Sequence, residues 1–204
     1  MAQLLLCDLT TDVKSSILSQ LSGISTHDTL LTTFIKAFSG GGDILKLAGA
    51  EQYCSRMFAS GTYTEYFSSD GSQTKIPVLA YPITSITNIW VDSERTFGDS
   101  TKLTASDYVA DQRGGPYIRL KYSTFSVGID NIKVTYAGGL AANTAAVPDD
   151  LRLACMLQVA FWFQRREQLG LAGASMPGGS LSVFSPTNYL PQVRAILNSY
   201  IRMT

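Results

Sequence analysis

Residues 147–168 read Val-Pro-Asp-Asp-Leu-Arg-Leu-Ala-Cys-Met-Leu-Gln-Val-Ala-Phe-Trp-Phe-Gln-Arg-Arg-Glu-Gln, one helix with both ends marked. Pro148 suits the first turn, where its missing N–H is no loss. Asp149 and Asp150 complement the positive end of the helix dipole, and Arg165 and Arg166 the negative end. Between them, residues 153–163 carry a single polar side chain, Gln158. An ordinary surface helix shows one apolar stripe, whereas a helix apolar all round must be covered all round. The stretch is too short and too closely bracketed by charge to span a membrane. In a chain of 204 residues, full cover points to a neighbouring copy. The expectation is assembly rather than chemistry.

Composition sets the outer limits. A chain of this length forms one domain, or one with a sizeable insertion, and buries roughly 70% of its unfolded surface. A hydrophobic fraction of 45% with 10% aromatics belongs to a folded globular protein. Charged residues make up only 16%, and the formal net charge is zero. Non-specific nucleic-acid binding needs a surplus of Lys and Arg to displace counterions, and this chain has none. So low a charge is a solubility liability for a free monomer and tolerable inside an assembly.

Cys7, Cys54 and Cys155 are odd in number, far apart, and without C-x-x-C spacing or a nearby His. Cys54 and Cys155 fall on apolar helical stripes and read as small buried hydrophobes. Neither a disulfide framework nor a zinc site is expected, and no cofactor or metal. The opening Met-Ala-Gln-Leu-Leu-Leu-Cys-Asp lacks the basic flank and long apolar core of a signal peptide. A reducing cytoplasm is the expected place of synthesis.

To about residue 59 the periodicity is helical. Val13, Ile17 and Leu21 mark a first helix, begun at residues 10–12 and ended by Gly23. Thr26 or Asp28 caps a second, with Leu30, Leu31, Phe34, Ile35 and Phe38 as its stripe, broken by Ser39 and Gly40 to Gly42. Asp43 caps a third, with Leu47, Ala50, Cys54, Met57 and Phe58 on one face. Residues 62–137 then shift to a period of two, rich in Tyr, Thr, Ile and Val. Strands are expected at Thr62–Phe67, Thr74–Ala80 with Pro77 on an edge, Thr87–Val91, Glu94–Phe97, Tyr117–Tyr122 and Asn131–Tyr136. Asp92-Ser93 and Gly114-Gly115-Pro116 are turns, the latter leading back to a partner near Asp107–Asp111. No helical pattern separates the strands, so the pairing is antiparallel. After Gly138-Gly139 comes the long helix. A Gly, Ser, Ala and Pro-rich loop follows at 169–188, then a last helix from Pro191 with Val193, Ile196, Leu197, Tyr200 and Ile201 on one side. The fold class is α+β. A helical body of about five helices spans 1–60 and 140–204, with an antiparallel β insertion built from hairpins at 61–139.

Local wording adds to this order. Tyr53-Cys54-Ser55-Arg56-Met57-Phe58 closes the helical start, and Tyr81-Pro82-Ile83-Thr84-Ser85-Ile86 precedes Ile89-Trp90-Val91-Asp92. Asp107-Tyr108-Val109 and Ile132-Lys133-Val134-Thr135-Tyr136-Ala137-Gly138-Gly139 follow. Val147-Pro148-Asp149-Asp150-Leu151 then leads to Trp162-Phe163-Gln164-Arg165-Arg166, and Leu190-Pro191-Gln192-Val193 leads to Tyr200. In order and spacing these fragments resemble the head–tail connector family of tailed bacteriophages, the adaptor or head completion proteins, from about residue 43 onward. The 169–188 loop departs from the family in its length.

The resemblance implies structural work at the head–tail junction of a virion assembled in the host cytoplasm. It implies a ring of about twelve copies beneath the portal, whose closed symmetry demands heterologous subunit contacts. Partners are then the portal protein, further copies of the chain, and a downstream stopper, nozzle or tail terminator. Double-stranded DNA passes through the channel without sequence-specific binding, and no membrane is involved. Trp162, Arg165, Arg166, Tyr189, Tyr200 and Arg202 become candidates for subunit or portal contacts. The 169–188 loop and final helix become candidates for reaching the portal. A stopper or tail-completion role in the same neck is the near alternative.

Other classes read less well. His27 is the sole histidine, so any Ser–His–Asp or Cys–His mechanism must pass through it, and its setting in Ser25-Thr26-His27-Asp28 is a helix start. The Gly-rich pieces at 40–42 and 170–179 match neither G-x-G-x-x-G nor a phosphate loop, and no Ser sits in a G-x-S-x-G elbow. Asp149/Asp150 and Asp92/Glu94 read as a helix start and a turn. No catalytic residue is expected. A monomeric module gripping a glycan or peptide through the β insertion, with Trp90 as platform, is the competitor from another class; a core or interface place for Trp90 is the plainer reading.

Overall fold

The computed structural model describes residues 3–18, 24–41, 47–111, 115–166, 173–176, 179–182 and 189–202. The N-terminal segment runs extended into a π-wound helix, Leu9–Ile17. Asp8 opens it, accepting from the N–H groups of Thr10 and Thr11 at 2.8 Å, while the Asp12 carboxylate accepts from the Asp8 N–H at 2.7 Å. This reciprocal cap sets the start slightly before residues 10–12. The expected end at Leu21 and Gly23 lies outside the described residues.

Helix α1, Asp28–Ser39, has its stripe as read: Leu31, Ile35 and Phe38 are buried, and Leu30 and Phe34 pack at the margin. The residue in the cap position is His27, without a side-chain cap bond, rather than Thr26 or Asp28. Helix α2 covers Gly49–Cys54 and stops short of the expected Phe58; Asp43 lies outside the described residues. Ser55 ends it in the left-handed conformation, φ 51°, and the chain beyond pairs as a strand does, Met57 bridging Ala80 and Ala59 bridging Ala141. Neighbours in extended chain point to opposite sides. Met57 therefore enters one core and Phe58 another, where a shared helical face was expected.

Residues 61–138 hold two three-stranded antiparallel sheets. In the first, β1 (Gly61–Ser69) and β3 (Ile83–Val91) flank β6 (Gly128–Gly138); in the second, β2 (Lys75–Pro77) and β4 (Tyr108–Ala110) flank β5 (Tyr117–Leu120). Pro77 sits on an edge strand, where its missing N–H removes no ladder bond. The strand expected at Glu94–Phe97 is a loop instead. The Asp92 carboxylate accepts from the N–H groups of Glu94, Thr96 and Phe97 and from the Thr96 hydroxyl, at 2.7–2.9 Å. Those amides are satisfied locally and have no need of a ladder. Gly139, φ 127°, brings the chain so close to residue 59 that a Cβ there would run into the Ala59 carbonyl.

Helix α3, Asp149–Gln164, packs against α1, the π-wound helix and α4 (Pro191–Asn198). Leu151, Ala154, Cys155, Val159, Ala160 and Phe163 are buried. Gln158 is fully buried too, its Oε1 accepting from the Leu190 N–H at 2.9 Å. Leu153 is 45% exposed. Three elements of the same chain thus cover most of α3, and the expectation of outside cover narrows to a strip along Leu153, Leu157 and Phe161: Leu153 is exposed, while Leu157 and Phe161, and Met156 and Trp162 beside them, are half-buried. On α4, Val193 and Leu197 are buried; Ile201 follows the helix end and is 41% exposed, because helical spacing no longer governs it. Within 169–188, where a loop was expected, Gly173–Met176 (β7) pairs with Gly179–Ser182 (β8).

Candidate assembly surface

Two buried clusters meet at residues 57 and 58, where Met57 belongs to one and Phe58 to the other. Arg56, almost wholly buried, lies over the Tyr81 ring at 3.6 Å and donates to the Tyr81 carbonyl. Burial pulls its guanidinium below the ordinary arginine range, opposed by the neighbouring Tyr81. In the cluster that holds Met57, the Tyr136 hydroxyl donates to Glu65 and accepts from the Ala80 N–H at 2.9 Å. Burial raises the Glu65 carboxyl above the usual carboxylate range, against the bonds from Tyr136 and Leu79.

The C-terminal residues close this junction. The Arg202 N–H donates to the Cys54 carbonyl at 2.9 Å and its side chain reaches the Val78 carbonyl at 3.5 Å. The Tyr200 ring stands edge-on to Phe58, and its hydroxyl donates to Asp150 at 2.7 Å. Burial, chiefly, raises the Tyr200 phenol.

The six candidate residues fall into three places. Tyr200 and Arg202 lie at the junction. Trp162 and Tyr189 share Phe38, edge-on at 6.3 and 5.6 Å, and burial pushes Tyr189 up to about 12. Arg165 and Arg166 end α3 over Phe161 and Phe163, at 5.0 and 4.2 Å. Arg166 also donates to the Phe163 carbonyl at 2.8 Å, the dipole role read from its position.

Sequence reasoning passed over two open apolar surfaces. One is the Leu153–Leu157–Phe161 line, whose four-residue spacing was visible within the uniform run. The other comprises Tyr122, Val127 and Ile129, which are 87%, 70% and 77% exposed. On the outer face of the first sheet, Tyr66, Lys133 and Trp90 stand in one row across β1, β6 and β3. The Lys133 ammonium lies 5.0 Å from the Trp90 ring and 5.5 Å from Phe97. Trp90 is therefore half-buried on the outward face and not a core residue.

His27 stands edge-on to Phe163 at 5.3 Å, a packing contact. An open groove of about 670 Å³ bounded by residues 3–5, 59–62 and 142–144 is lined without a titratable side chain. Among the described residues no group of His, Cys, Asp and Glu is placed to hold a metal.

The model of one family, Head completion protein, matches residues 45–203. The chain belongs to that family. No curated protein matches the sequence. The fold of this head completion protein is similar to chains in three solved structures. One is the neck of an empty GTA particle computed with C6 symmetry, at 16% identity and a TM-score of 0.53, covering 87% of this chain and 80% of that one. Another is the neck of a native GTA particle computed with C12 symmetry, at 15% identity and 0.52, covering 94% and 88%. The third is the virion of a native gene transfer agent (GTA) particle, at 16% identity and 0.53, covering 92% and 82%. Among the described residues no helix is long and apolar enough to cross a membrane.

Proposed function

We propose that this head completion protein is a structural ring component of a virion neck, joining the capsid portal to the tail or the next neck protein and catalysing nothing. The observation that carries the reading is the family match across residues 45–203. The fold shared with neck chains of GTA particles supports it. In this reading residues 1–60 and 140–204 are the adaptor body and 61–139 its insertion. Copies, about twelve, meet head to tail, and the Leu153–Leu157–Phe161 line takes a neighbour. Trp162, Arg165, Arg166, Tyr189, Tyr200 and Arg202 shape the contact from beneath by holding α3, α4 and the C-terminal segment in place. The 169–188 segment reaches the portal; α4 itself is held down by buried Val193 and Leu197. DNA passes through the channel without base readout, and the downstream partner is a stopper, nozzle or tail terminator.

Mass measurement in solution, with and without the cognate portal, tests this. High-mass rings, alone or on the portal, are the expected result. A chain that stays monomeric beside its portal and binds glycans through the Tyr66–Trp90 face would overturn it in favour of a binding module. His27→Ala should leave ring formation intact.

A further inference from the structure

Cys7 and Cys155 are 148 positions apart, one in the extended N-terminal segment and one in the middle of α3, yet their sulfurs meet at 2.7 Å. Both side chains are fully buried and both thiols are free. A disulfide places its sulfurs about 2.05 Å apart, so these sulfurs stand less than about 1 Å beyond bonding distance. The third thiol, Cys54, is engaged elsewhere, donating to the Leu197 carbonyl at 3.4 Å. Sequence separation hid the pair; tertiary packing made it.

We propose that Cys7 and Cys155 form a site of oxidative closure, in which a small-molecule disulfide such as oxidised glutathione converts them to an internal cross-link between the N-terminal segment and α3. Access comes from the N-terminal side. Cys155 lies on a helix enclosed by three elements, whereas Cys7 lies on an extended segment held by the Leu6 N–H to Ser39 Oγ bond of 2.9 Å, by Gln3 on the Lys36 and Gly40 carbonyls, and by the buried side chains of Leu4 and Leu6. When that segment lifts, the Cys7 thiolate attacks one glutathione sulfur and releases one glutathione thiolate. When it settles, Cys155 gives its proton to a glutathione thiolate, attacks the Cys7 sulfur, and expels the second glutathione. Two protein thiols are oxidised and one small disulfide is reduced to two thiols. Burial holds the Cys155 thiol well above the ordinary cysteine range, which makes the second step slow. A reducing cytoplasm keeps the pair open, and an oxidising medium closes it. The site rests on the packing of a single chain and not on ring formation.

The full-length chain, incubated with oxidised or with reduced glutathione, is alkylated and mapped by mass spectrometry. The expected product is an intramolecular Cys7–Cys155 peptide pair, with Cys54 alkylated. The oxidised chain should melt roughly 5–10 °C above the reduced one. Cys54→Ala should keep the link, and Cys7→Ala and Cys155→Ala should each lose it. Because either of the latter disturbs the core, the wild-type comparison decides. Three alkylated cysteines after oxidation, a link through Cys54, or a link formed solely between chains would each overturn the proposal. A Cys7–Cys155 link that leaves Tm unchanged would overturn the tie between segment and helix.

Discussion

In the sheet β1–β6–β3 the middle strand alternates from Ile132 to Gly138, with Ile132, Val134 and Tyr136 buried and Lys133, Thr135 and Ala137 half-open. Helix α3 has no such alternation in its letters, yet it too has an inside and an outside: Gln158 is buried and Leu153 is exposed. The difference is in what faces the second side. One sheet face meets water, so residue polarity reports direction. Nearly the whole circumference of α3 meets protein, so residue polarity stops reporting direction. Burial on α3 is decided by which neighbours arrive, not by which residues are apolar.

Changes that break or sharpen this contrast rank by size. Phe163→Ala, emptying a site enclosed on α3, should cost about 3–5 kcal/mol in urea unfolding, through lost burial and a residual cavity. Tyr136→Phe, in the sheet core, should cost about 1–3 kcal/mol, since the Ala80 N–H and Glu65 each lose a partner. A near-neutral Tyr136→Phe would mean that the sheet core depends on shape alone.

Glu65→Gln probes the same network through pH. The folded-state carboxyl is raised, so the folded chain holds its proton more tightly than the unfolded chain does. The wild-type stability advantage from this group is complete below the unfolded value, near 4.5, and is lost as pH rises through the folded value. Unfolding curves of wild type and Glu65→Gln should therefore move in the variant's favour from about pH 4 toward neutrality. A constant difference would place the titrating group elsewhere. On the outward face, Lys133→Ala should cost about 0.5–1 kcal/mol, the scale of an exposed cation over aromatic rings. Smallest of all, Leu153→Glu should change the stability of the single chain by less than about 0.5 kcal/mol, while weakening ring assembly on the portal. Loss of fold in Leu153→Glu would show that the line serves the monomer and not a neighbour.

Much of the architecture was legible in the letters. The period-two run marked β1, β3, β5 and β6, Pro77 marked an edge, and the spacing of Leu31, Ile35 and Phe38 marked α1. The errors share a cause. Met57 and Phe58 looked like one helical face, but Ser55 turned left-handed and the chain became extended, sending the two side chains to different cores. Glu94–Phe97 had strand composition, but the Asp92 carboxylate took its amides. In each case one dihedral or one side chain outweighed composition. The candidate contact residues were legible as apolar or basic side chains near helix ends, while the exposure of Tyr122, Val127 and Ile129 was not, because exposure is a property of neighbours.

Family, fold class and element order follow from patterns local in the chain, since periodicity, turn chemistry and short motifs act over a few residues. The partners of Gln158 and Cys155, the narrow uncovered line on α3, and the meeting of Cys7 with Cys155 came from the way the elements pack. Those contacts join positions up to 148 residues apart, and no local rule relates such positions until the intervening chain has been folded between them.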